Sequence, residues 1–374
     1  MISQNLRALA AALLISTGTV AVGAMALPTV AEAAARPQVG KLLNQAVELA
    51  KSGNTGAASA KVHEAEAVGG LTPGDQQAIE QVKSFISAKS GSGATGSKAK
   101  FANDYNAGRY RDVVGPDADE LRRAGQYDAQ SQLIVAQAYY LMGEYSSAIR
   151  MLSGMGGDQA QTLLMSAAAK SGDTDAEMRA AEHLISNGQA KYWTYMLTGA
   201  EGTRGLTDHE NLDILRVRYL TGMMRGPDDY MTAIELSLEF GDAAGAQTIA
   251  QKGVQAKVLA DTRSQRLAGM AQAAATKDTA TLAQQTAAAK TGDAMVKLGE
   301  KLTGMGKAPD AVNLIQAGIK KGVTDENDAQ IRLGQAYQAA GQKDQALRAF
   351  AAVKNDPKQQ VVARVWSLYT RTSK

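Results

Sequence analysis

The sequence predicts an all-α protein, an α-solenoid of stacked antiparallel helix pairs ending in a C-terminal capping helix. Three observations predict it. Near the C-terminus one pattern occurs twice at a period of 35 residues: Gly299 recurs as Gly334, Gly306 as Gly341, Ala311 as Ala346, and Ile315 as Phe350. Apolar residues make up 45% of the chain but aromatic residues only 5%, so helices would cross closely over small side chains. No stretch shows the sustained β-branched alternation of a strand. A helix pair cannot bury its apolar face alone, so repeated pairs stack on their neighbours.

Taken in order, residues 1–35 read as an export address. Arg7 precedes the apolar run from Ala8 to Val22, and small residues follow. Ala31-Glu32-Ala33 or Ala33-Ala34-Ala35 supplies a cleavage site, so cleavage is expected after Ala33 or Ala35. The run is shorter than the roughly 20 residues of a membrane span. Without an Arg-Arg pair, the general secretion route is expected, with the periplasm as destination. Residues 36–89 form an N-terminal helical segment with a corner at Gly53. Residues 90–97, Ser-Gly-Ser-Gly-Ala-Thr-Gly-Ser, read as a linker or as a long loop within one continuous array. Residues 98–374 hold the main array.

Within that array, 129–155 is a third good copy: Val135-Ala136, Tyr139, a corner at Gly143, then Ala148 and Leu152. Looser copies follow, with corners at Gly172 and Gly241. Residues 263–290 read as an Ala-rich helix pair broken near Lys277-Asp278. Trp193 and Met196 are expected in the core, with Tyr192 and Tyr195 on another side where their rings can be exposed. The amphipathic stretch from Val361 to Tyr369 is the expected capping helix.

In the two best copies, Leu333-Gly334-x-x-Tyr337 with Ala346 and Phe350, and Leu298-Gly299-x-x-Leu302 with Ala311 and Ile315, resemble the tetratricopeptide (TPR) repeat. Gly334 and Gly299 stand where paired helices cross. Gly341 and Gly306 end the first helix, where a left-handed residue costs glycine little. The order of segments, with Asp228-Asp229-Tyr230-Met231 and Ala363-Arg364-Val365-Trp366, is similar to that of exported TPR proteins of proteobacteria. In TPR arrays the partner lies against the first helix of each pair. The resemblance therefore implies a groove of Leu133, Ile134, Gln137 and Tyr140, then Lys297 and Glu300, then Ile331, Arg332, Gln335 and Gln338. Arg332, Gln335 and Gln338, spaced by three, share one helix face. They are expected to be exposed and replaceable without loss of stability, with Leu333 and Tyr337 buried on the other side.

Other chemistry is poorly supported. Gly91-Ser-Gly93-Ala-Thr-Gly96 matches a dinucleotide fingerprint, but no strand precedes it. His63, His183 and His209 are scattered and the chain has no Cys, so no metal site and no cofactor are expected. Glu182-His183 and His209-Glu210 read as surface residues. Acidic clusters at Asp173/Asp175 and Asp325/Glu326/Asp328 read as helix N-terminal residues. No G-x-S-x-G elbow occurs. With 40 basic and 37 acidic residues, no basic stripe favours nucleic acid, and membrane association would be peripheral at most. The expectation is a non-enzymatic periplasmic scaffold that binds a protein or peptide in a cell-envelope assembly. The alternative is a module that binds peptidoglycan or an exported polysaccharide by stacking sugars on Tyr140, Tyr192 and Tyr195.

Overall fold

The computed structural model describes residues 36–89 and 96–373. The expected signal segment, its cleavage site, and residues 90–95 of the Gly/Ser stretch lie outside them. All regular structure among the described residues is helical. None of those helices is long and apolar enough to cross a membrane. The chain divides into two compact units, Met1–Tyr127 and Asp128–Lys374, so the boundary falls beyond the Gly/Ser stretch.

In the first unit, α1 (Pro37–Lys51), α2 (Thr55–Glu66) and α3 (Pro73–Lys89) pack on one another. Leu43, Val47, Val62, Ile79 and Val82 form their shared core. Asn54 ends the expected Gly53 corner by accepting a bond from the Ala57 amide, 3.2 Å, which caps α2. Arg36 ties the start of α1 to α3: its Nε donates to Asp75 Oδ2 at 2.7 Å and its amide to Oδ1 at 2.8 Å. Further on come α4 (Ser97–Asn106), α5 (Tyr110–Asp112), a π turn at Val113–Asp117, and α6 (Ala118–Arg123). Pro116 lies inside the π turn. Proline has no N–H for a regular helical ladder, and a wider turn accommodates it.

The second unit runs through α7 (Ala129–Leu141), α8 (Tyr145–Leu152), α9 (Asp158–Ser171), α10 (Thr174–Ser186), α11 (Trp193–Glu201) and α12 (Asp208–Leu220). It continues with α13 (Pro227–Phe240), α14 (Ala243–Gln255), α15 (Thr262–Ala288), α16 (Gly292–Gly304) and α17 (Ala308–Lys321). It ends with α18 (Glu326–Ala339), α19 (Lys343–Ala351) and α20 (Pro357–Thr372). Successive helices pack together, α16 on α17 and α18 on α19 as the repeat pattern requires. A Cβ on Gly334 would meet Phe350 Cδ1 at 2.7 Å, and one on Gly299 would meet Ile315 Cδ1 at 2.9 Å. Both glycines therefore stand at tight crossings. Gly306 and Gly341 each end their helix at φ +73°.

Three elements differ from expectation. The break near Lys277-Asp278 does not occur: α15 runs for 27 residues. Neither residue breaks a helix, and Asp278 receives Lys301 Nζ from α16 at 3.0 Å. Glu210 is buried, because with Thr207 it forms a reciprocal capping box at the start of α12. The last helix does more than cover one end. α20 packs on α18 and α19 and also on α10, α11 and α12. Arg364 Nε donates to Glu182 Oε2 on α10 at 2.8 Å, and Trp366 Nε1 donates to the Asp213 carbonyl on α12 at 3.2 Å. Nearest-neighbour stacking does not account for these contacts, and the second unit closes on itself around α12 and α18.

Candidate binding site

That closure buries a network of charges. α12 carries His209, Asp213 and Arg216 on one face, and α18 carries Asp328, Arg332 and Gln335 at the same steps of four and three. Glu300 comes from α16, and Asp242 caps the start of α14. Arg332 grips Asp213 with both terminal guanidinium nitrogens, Nη1 to Oδ1 at 2.6 Å and Nη2 to Oδ2 at 2.5 Å. This bidentate geometry is the strongest available to such a pair. Gln335 Nε2 donates to the same Asp213 Oδ1 at 2.8 Å, and Arg332 Nε donates to Asp328 Oδ1 at 3.0 Å. Arg216 bridges the other direction, Nη1 to Glu300 Oε1 at 2.8 Å and Nη2 to Asp242 Oδ2 at 2.9 Å. His209 closes the circuit, its Nε2 3.1 Å from Glu300 Oε1 and its Nδ1 3.6 Å from Asp328 Oδ1. Its ring stacks on Phe240 at 4.2 Å between centroids.

The electrostatics follow from burial set against pairing. Burial pushes the Asp213 carboxyl up, but Arg332 and then Arg216 outweigh it and hold the group below its ordinary range. Glu300 behaves likewise: burial opposes ionisation, while Arg332, Arg216 and His209 hold its carboxyl well below that range. Asp242 is the exception. Burial dominates there and raises it, although Arg216 opposes the shift. Both guanidinium groups are held above their ordinary values despite burial, Arg216 chiefly by Glu300 and Arg332 chiefly by Asp213. Gly245 and Gly304 make room for Asp242, since a Cβ on either would collide with its carboxylate.

Two clefts flank the network and share Glu300. The first, of about 210 Å³, is lined by His209, Phe240, Asp293, Lys297, Asp325 and Asp328 with Glu300. The second, of about 200 Å³, is more apolar, with Tyr219, Leu220, Ile249 and Trp366 over Arg216, Asp242, Gln335 and Gln338. Among the described residues, no group of three His, Asp or Glu is placed to hold a metal ion.

Of the expected groove, Lys297, Glu300, Arg332, Gln335 and Gln338 come together at this network, whereas Ile134, Gln137 and Tyr140 lie on α7 and line neither cleft. The expected exposure fails for several. Arg332 is 2% exposed, Gln335 6% and Glu300 7%, and Ile331, Leu133 and Gln137 are buried as well. For Ile331, Arg332 and Gln335 the reason lies in α18, which packs on α16, α17, α19 and α20, while its polar face bonds Asp213 of α12 rather than water. Lys297 is exposed, and Gln338, Ile134 and Tyr140 are half-buried. Leu333 is buried as expected, but Tyr337 is only half-buried. Trp193 and Met196 are core residues as expected. Tyr192 is buried too, and Tyr195 alone of that pair is exposed, at 42%. The sequence reading missed His209, Asp213, Arg216, Asp242 and Asp328 as site residues. The signal available was the matched 209/213/216 and 328/332/335 spacing, which lines up opposite charges on two helices.

No protein-family model matches the sequence, and a search of the curated proteins finds no match. The site therefore stands on its own geometry.

Proposed function

We propose that this chain is an exported, non-enzymatic scaffold built from TPR-like helix pairs, which holds a protein or peptide partner in an assembly of the cell envelope. One observation carries this reading. The first helices of the two clearest repeats, α16 and α18, present Lys297, Glu300 and Asp328 to one cleft, and Glu300, Gln335 and Gln338 to the other. These are the helices against which a TPR partner would lie. The charged groups between the clefts bind one another and fix the cleft walls, which suits a preorganised binding surface. The export segment at 1–35 supports a periplasmic location. Tyr192, one of three rings on which a glycan-binding reading leans, is buried, so the protein-binding reading is preferred. The test is crosslinking of a tagged chain in the periplasm followed by recovery. A specific, reproducible protein partner is expected. Recovery of none, or cosedimentation with purified sacculi instead, would overturn the reading.

A further inference from the structure

We propose that the leader is removed between Ala35 and Arg36, not after Ala33, and that Asp75 then holds the new amino terminus. This rests on the reading of residues 1–35 as an export segment, and fixes which of the two A-x-A sites is used. Ala35 lies outside the described residues, whereas Arg36 and its partners lie within them. The step is a hydrolysis by a peptidase of the export route. The bond between the Ala35 carbonyl and the Arg36 nitrogen breaks, the water oxygen completes an Ala35 carboxylate, and both water protons pass to the nitrogen. Arg36 is left with an α-ammonium group.

The first argument is the site that residue 36 already occupies. Asp75 is fully buried, and Arg36 meets it twice, main-chain nitrogen to Oδ1 at 2.8 Å and Nε to Oδ2 at 2.7 Å. Arg36 Nη1 also reaches the Gly69 carbonyl at 3.3 Å. Oδ2 accepts the Thr72 amide at 2.9 Å, and the Asp75 amide donates to Thr72 Oγ1 at 3.2 Å. That reciprocal cap at the start of α3 explains Thr72 and Oδ2. It leaves Oδ1 to the Arg36 nitrogen. The Thr72 amide first, then the Arg36 amide and guanidinium, hold the Asp75 carboxyl well below its ordinary range, so it is ionised at neutral pH.

The second argument is position. α1 begins at Pro37, directly after Arg36, and proline at the first helical position has no N–H to satisfy. A cation on the Arg36 nitrogen would meet the positive end of the α1 dipole and needs a carboxylate in answer. The first turn of α1 has no acidic residue of its own, and Asp75 of α3 supplies one. Arg36 is half-buried, so the remaining donors of the ammonium reach water. Cleavage after Ala33 would instead leave a neutral amide against Asp75 and place the new charge two residues upstream.

The test is to express the full chain, leader included, in a Gram-negative host, and to measure its intact mass and first residues after purification from the cell envelope. Arg36 should come first, with residues 1–35 gone. A start at Ala34 would overturn the proposal while export stands, and a chain that keeps its leader would overturn both. The amine gives a second reading. Ordinary α-amino groups titrate near about 7.7–8.0. A carboxylate beside the ammonium favours its charged form, so the Arg36 amine should titrate about one unit higher. Its acylation rate, followed against pH by mass spectrometry of the amino-terminal fragment, should reach half-maximum about one unit above that of the free peptide Arg-Pro-Gln-Val-NH2. Burial alone would slow the reaction without moving that midpoint. Asp75→Asn should bring the midpoint back to the peptide's value. A wild-type midpoint equal to the peptide's would overturn the proposal, whether or not the variant folds. If the chain starts at Arg36 and no partner is ever recovered, the amino-terminal site stands and the scaffold falls.

Discussion

The two units each contain a cluster of paired charges, and the two clusters are built differently. In the first unit Lys100 pairs with Asp104 at 3.1 Å and also with Asp117, while Arg109 Nε reaches Asp104 Oδ1 at 3.0 Å. All four lie within 18 residues of sequence, Lys100 to Asp117. The carboxylates are buried, but the side chains of Lys100 and Arg109 are 50% and 55% exposed. Arg109, and then Lys100, lower the Asp104 carboxyl to about 2, whereas burial raises Asp117. In the second unit both members of the central pair, Arg332 and Asp213, are buried, and they lie 119 residues apart. The first cluster staples a local turn around Pro116. The second joins α12, α16 and α18. Solvated cations can find water when a partner is lost, and buried ones cannot.

The largest expected effect tests that contrast directly. Arg332→Ala strands Asp213 without its bidentate partner and should destabilise the protein by about 3–5 kcal/mol, read from thermal melting. A cost below about 1 kcal/mol would show that the buried network is no more consequential than the exposed one. Leu333→Ala, on the same helix, should cost about 2–5 kcal/mol in urea unfolding through a lost apolar side chain and the cavity left behind. If it costs clearly more than Arg332→Ala, packing rather than charge governs α18.

Acid sharpens the comparison. Glu300 and Asp213 have carboxyls depressed by folding, so they bind fewer protons folded than unfolded at moderately acidic pH. Their contribution is complete above the unfolded values, near about 4, and is lost as pH falls through the lower folded values. The margin of wild type over Glu300→Gln, about 1.5–3 kcal/mol for hydrogen bonds to a charged group, should persist from pH 7 to about 5. It should shrink below about 4. A margin that stays constant down to pH 3 would mean that Glu300 does not act through its charge.

Gly334→Leu drives a side chain into the Phe350 ring and should cost about 1–3 kcal/mol. An unchanged melting temperature would displace the α18–α19 crossing from that glycine. The smallest effect belongs to the first unit: Arg109→Ala should cost less than about 1 kcal/mol, since its side chain is 55% exposed and Asp104 keeps Lys100 at 3.1 Å. A loss as large as that for Arg332→Ala would erase the distinction between the clusters.

The helices of the two best copies, their corners and their close crossings were legible in the sequence by itself, whereas α15, expected as a broken pair, was not. Local chemistry decides them: Gly341 permits a left-handed end, Gly334 permits contact with Phe350, and Asp173 and Asp325 cap the helices they precede. The i, i+4 pairing of Lys100 with Asp104 is legible in the same way. Which faces of those helices meet water was decided only by tertiary structure. Periodicity places Arg332 and Gln335 on one polar face of α18, but it does not say that α12 will stand opposite with Asp213. Nor does it say that α20 will reach past α19 to α10, α11 and α12 and close the unit over them. A polar stripe reads the same whether it faces solvent or an oppositely charged stripe more than a hundred residues away. Only the long-range packing that sets α12 opposite α18 chose the second.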